Sequence, residues 1–116
     1  FTLLLPACKQ EIKDATVSVT NGKLTFDGDR SDCLTSYSID TVEADGGHAA
    51  FWGLPSPMPV SKDPTCRIRF PLRYGEPPAG VNVYPETGAP PLRPGQRYRF
   101  RAEGMGYKHA AEFTAP

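Results

Sequence analysis

Leu92-Arg-Pro-Gly-Gln-Arg-Tyr-Arg-Phe-Arg-Ala102 decides how the chain is read. Pro94-Gly95 is a turn pair, because proline presets its φ and glycine accepts a positive one. After the turn, Tyr98, Phe100 and Ala102 alternate with Arg97, Arg99 and Arg101. A period of two places one set on each face of an extended backbone, so the stretch predicts a half-buried β-strand.

The same alternation recurs upstream. Cys66, Ile68, Phe70, Leu72 and Tyr74 share one phase; Arg67, Arg69, Pro71 and Arg73 share the other. Pro71 has no N–H for a ladder bond, so this strand is expected at an edge or a bulge. Ala15 to Phe26 predicts a hairpin: Val17 and Val19 lead into Asn21-Gly22, the pair a type I′ turn favours, and Leu24 and Phe26 return. Cys33 to Glu43 is a strand with Tyr37 and Ile39 on one face, and its phase slips near Thr41 and Val42 as at a bulge. Ala49 to Leu54 is an apolar strand with Trp52 as the expected core residue. A short strand is expected at Val81–Val83, and a closing strand near Ala110 to Thr114 with Phe113 turned inward. Pro55 to Pro64, with Met58 inside it, holds four prolines and reads as a stiff bridge or a partner-binding loop. Thirteen prolines and eleven glycines argue against long helices, so the expectation is one domain, all-β.

Leu92-x-Pro-Gly-x-x-Tyr98 resembles the tyrosine corner of immunoglobulin-like and fibronectin type III domains, where the phenol bonds the backbone a few residues upstream. Arg73-Tyr-Gly-Glu76 resembles a turn of some fibronectin type III domains. The resemblance covers roughly residues 66–116. It implies an immunoglobulin-like/fibronectin type III-like antiparallel β-sandwich of about 7–8 strands, with the corner at Tyr98. Only seventeen residues separate Tyr74 from Leu92, fewer than that family usually spends there, which implies one strand fewer. The order Trp52, Cys66, Arg73-Tyr-Gly75, Pro78-x-Gly80, Pro91-Leu-x-x-Gly-x-x-Tyr98 also resembles small Gram-negative lipoproteins. Fold likeness is mute on activity.

Residues 1–8, Phe-Thr-Leu-Leu-Leu-Pro-Ala-Cys, resemble the end of a bacterial lipoprotein signal. Leu5, Ala7 and Cys8 fit that pattern and Pro6 departs from it. The resemblance implies lipidation at Cys8, contact with membrane only through that anchor, and a place in the periplasm or on the outer membrane or cell surface. The other reading is an N-terminal strand; residues 9–116 form the single domain in either case. On the lipoprotein reading Cys33 and Cys66 remain as a disulfide pair, which implies an oxidising compartment. The alternative is three reduced cysteines, and an unlipidated Cys8 would compete for either partner. The cysteine and histidine spacings fit no zinc site.

The formal net charge is zero. Residues 1–63 hold nine acids against five bases, a net −4; residues 64–116 hold four acids against eight bases, a net +4. The candidate binding residues are Arg67, Arg69 and Arg73 on one strand and Arg97, Arg99 and Arg101 on another. Side by side in one sheet they would form one guanidinium face, which needs either interleaved acids such as Glu103 and Glu112 or an acidic protein partner. Nucleic acid is disfavoured, because no aromatics interleave these arginines and the overall charge is balanced. No nucleophile, phosphate-loop or metal motif occurs. His48 and His109 read as solvent-exposed. Asp27, Asp29 and Asp32 lack the spacing of a calcium loop. No cofactor and no catalysis are expected. The chain reads as a non-enzymatic envelope binding module, in concrete form an immunity-type lipoprotein. The alternative is a carbohydrate- or adhesion-type accessory domain, with Trp52, Tyr84 or Tyr107 as the sugar platform.

Overall fold

The computed structural model describes residues 11–54 and 66–116. The expectations placed on residues 1–8, on Cys8 and on the Pro55–Pro64 loop lie outside the described residues. Within them the protein is all-β, with eight strands: β1 (Glu11–Asp14), β2 (Thr16–Thr20), β3 (Lys23–Asp27), β4 (Leu34–Val42), β5 (His48–Gly53), β6 (Leu72–Arg73), β7 (Arg97–Gly104) and β8 (Tyr107–Thr114). They form a five-stranded sheet, β1-β8-β7-β4-β5, and a three-stranded sheet, β2-β3-β6. All pairs are antiparallel except β1–β8, which runs parallel. That pair corrects the expected all-antiparallel pattern, and β1 itself went unforeseen.

β7 lies at the centre of the large sheet, between β8 and β4. Its alternation is as expected: Tyr98, Phe100 and Ala102 are buried, Arg97 and Arg101 are exposed, and Arg99 is half-buried. The Arg93 N–H donates to the Tyr98 hydroxyl at 2.9 Å, so the buried phenol has a polar partner. The core lies between the sheets. Phe26 of β3 stacks on Phe100 of β7 with ring centroids 4.4 Å apart, and Phe113 of β8 meets both Phe26 and Tyr98 at 5.6 Å.

The Asn21-Gly22 hairpin is present, with φ of 53° and 74° at the turn residues. The bulge falls two residues before the place where the phase slip put it. The β4–β5 register shifts between Ile39 and Asp40, where Ile39 faces Trp52 and Asp40 faces Ala50. Phe51 is the extra residue, so Phe51 and Trp52 both turn inward. Phe51 packs on Tyr98 at 5.1 Å, and Trp52 on Tyr37 and Tyr74 at 5.4 and 5.0 Å.

Two expected strands are corrected. Residues 66–74 keep their alternation, with Ile68, Phe70 and Leu72 buried and Arg67, Arg69 and Arg73 exposed. Only Leu72–Arg73 forms a ladder. Ile68 bridges Leu34 of the large sheet, whereas Leu72 pairs with Phe26 of the small one. A segment that changes layers within four residues cannot ladder continuously with either. Val81–Val83 forms no strand; Val81 is buried, and Tyr84 next to this stretch makes one bridge, to Gly53. The closing strand is longer than expected, because β8 starts at Tyr107. Cys33 and Cys66 form a disulfide with Cα atoms 5.4 Å apart, beside the Leu34–Ile68 bridge.

Candidate binding surfaces

The expected single guanidinium face is not formed. Arg73 belongs to β6 in the small sheet, while Arg97, Arg99 and Arg101 belong to β7 in the large one. Arg67 and Arg69 flank Ile68, whose bridge to Leu34 leaves β4 between them and β7. The arginines therefore divide into two trios with different electrostatics.

Two of the β7 trio are compensated within the sheet. Arg97 is paired with Glu112, directly across the β7–β8 ladder from Arg99. Arg101 Nε donates to Asp40 Oδ2 at 3.0 Å, and the Asp40 side chain is only 5% exposed. Arg99 Nη1 lies 3.4 Å from His48 Nε2, and the Arg99 Nε is buried with no hydrogen-bond partner among the described residues. Glu112 was anticipated. Asp40 was not, although it occupies the outward phase of β4 directly opposite Arg99.

The other trio lines a shallow depression together with Pro71, Glu76 and Pro78. Among the described residues lining it, Glu76 is the one acid. Lys23 Nζ already lies 2.6 Å from the Glu76 carboxylate, and that hydrogen bond holds the carboxyl below its ordinary value. Arg73 stands farther from it, at 3.9 Å. Lys23 and Arg73 thus share this carboxylate, while Arg67 and Arg69 line the same depression.

His109 corrects the expectation of exposure: it is 1% exposed. It lies on the inward phase of β8, two residues before Ala111 and four before Phe113, with the Phe70 ring 5.0 Å away. Its Nε2 lies 2.9 Å from Asp32 Oδ2. Asp32 also accepts the Gly106 N–H at 3.2 Å and the Tyr107 N–H at 3.3 Å, so one buried carboxylate closes the β7–β8 turn. His109 Nδ1 is buried without a partner among the described residues. Among the described residues no nucleophile bonds this pair, and its bonds describe an anchor for the hairpin. The rest of the acidic loop is engaged elsewhere. Arg30 pairs with Asp27 and lowers its pKa, and the Ser31 hydroxyl, then Lys13, hold Asp29 down at about 2.

The hairpin anchor depends on Gly104. A Cβ there would stand 2.1 Å from Asp32 Oδ2. Gly104→Ala is expected to destabilise the fold by about 1–3 kcal/mol, read as a shift of the urea midpoint at constant slope.

The three candidate platform aromatics are not assembled. Trp52 is buried, and Lys13 Nζ lies 3.6 Å from the Tyr107 ring centroid. Tyr84 is exposed. Among the described residues no helix is long and apolar enough to cross a membrane. Comparison with protein-family models, curated proteins and solved structures finds no match.

Proposed function

We propose that this protein is a non-enzymatic binding module of the bacterial envelope that holds an acidic protein partner against Arg67, Arg69 and Arg73. One observation carries this reading: the depression these arginines line holds a single acid among the described residues, already bonded to Lys23. Arginine suits the task, because its planar fork binds carboxylates bidentately and is weakly hydrated. In its concrete form the module is an immunity-type lipoprotein, tethered at Cys8, that occupies an incoming toxin. The immunoglobulin-like, fibronectin type III-like assignment belongs to the same proposal. The hydrogen bond from the Arg93 N–H to the Tyr98 hydroxyl supports a tyrosine corner, and the parallel β1 edge is its main departure from an antiparallel sandwich.

The test compares cross-linked partner capture from envelope extract by wild type, R67S/R69S/R73S and R97S. The triple variant is expected to associate about tenfold more slowly or worse, with a weaker salt dependence. R97S loses only an exposed pair and is expected to behave as wild type. Equal capture by the triple variant, or capture indifferent to salt, overturns the proposal.

A further inference from the structure

The outer face of the large sheet carries a trough that the partner-binding reading does not use. Its origin lies in the register. Across one row, Ala110 faces Arg101, which faces Ser38, which faces Gly53. The next row runs from Ile12 through Lys108 and Glu103 to Ser36. Ala110 on β8 and Ser36 and Ser38 on β4 leave a low floor. Arg101 is the one long side chain of the first row, and Asp40 draws it toward the neighbouring row. Arg99 is turned toward His48. A hollow of about 400 Å³ remains, within the range of small-molecule sites.

The chemistry of the walls is specific. Arg99, Arg101 and Lys108 line the trough, and among the described residues lining it Glu103 is the one acid; Asp40, just outside it, balances Arg101. Ser36 and Ser38 offer hydroxyls on its floor. The buried Nε–H of Arg99, without a partner among the described residues, is a donor whose desolvation they leave uncompensated. Gly53, paired with Ser38 beside the floor, has no room for a side chain, because a Cβ there would stand 2.5 Å from the β4 backbone.

We propose that this trough binds a polyhydroxylated carboxylate, the chemistry of a uronic-acid sugar. The cations take the carboxylate, while the serines and Glu103 take sugar hydroxyls. With Arg101 balanced by Asp40, Arg99 and Lys108 outnumber Glu103 by one positive charge, which matches the ligand's charge, and the serine floor favours a hydroxylated ligand over a fatty one. This site is independent of the Arg67–Arg69–Arg73 depression, so either proposal can fail alone.

The test is titration calorimetry on the whole chain with digalacturonate, its neutral counterpart galactobiose, and triglutamate. Two variants separate charge from shape: Lys108→Gln removes a wall charge, and Ser38→Phe fills the floor. The expected result is binding of digalacturonate that falls at least about fivefold in each variant, with no detectable galactobiose binding. Near-ultraviolet circular dichroism unchanged from wild type verifies that both variants are folded; if Ser38→Phe is not, Ser36→Phe replaces it. No digalacturonate binding, binding indifferent to both variants, or triglutamate binding as tightly overturns the proposal.

Discussion

Replacing Asp32 with alanine is expected to cost about 3–5 kcal/mol of unfolding free energy. The carboxylate meets three donors at once: the Gly106 and Tyr107 amides and His109. Its removal leaves an imidazole at 1% exposure with neither nitrogen bonded. Each buried polar group left without a partner costs about 1–3 kcal/mol. Domains of this size hold only about 5–15 kcal/mol in total, so the variant should lie near the edge of folding. Urea titration followed by tryptophan fluorescence reads the loss, since Trp52 is buried in the core. A cycle with His109→Phe isolates the pair. Phenylalanine fills the same space beside Phe70, so Asp32→Ala should cost clearly less in that background. An undiminished cost there would mean that the amides of the turn, and not the imidazole, carry the effect.

Converting both Cys33 and Cys66 to serine is expected to remove about 3–4 kcal/mol by the chain-entropy estimate. The bond closes a separation of 33 residues, and most of its contribution comes from restricting the unfolded chain. The melting temperature should fall by more than about 10 °C. Wild type treated with reductant should melt with the double variant, because the same cross-link is lost in both. A reductant-insensitive wild type would mean that the pair does not form in solution. Both cysteines are changed together so that neither is left to pair with Cys8.

Alternation along the chain revealed which side of each residue would be covered, and it did so wherever the pattern was long. Tyr98, Phe100 and Ala102 were legible for that reason, as were Ile68, Phe70 and Leu72. Asn21-Gly22 announced its hairpin because few other residues accept both φ values. Alternation does not say which strand lies alongside. The outward phase of Arg67, Arg69 and Arg73 was therefore readable, while their separation from Arg97, Arg99 and Arg101 was not. That separation depends on Ile68 and Leu72 joining different sheets. His109 had a signal: stepping back in twos from Phe113 through Ala111 reaches it. Its partner stands 77 residues away, and nothing local to Asp32 marks it from other turn aspartates. β1 was hidden because Glu-Ile-Lys-Asp is mostly polar and a parallel pairing leaves no turn between its strands.

The passage of residues 68–72 from one layer to the other has a mechanical consequence. A single short length of backbone is fastened to Leu34 at one end and to Phe26 at the other. Sliding one layer over its neighbour would have to stretch or detach this tie. The layers should consequently melt as a unit, and the arginine trio carried by the tie keeps its spacing for as long as the whole domain stands.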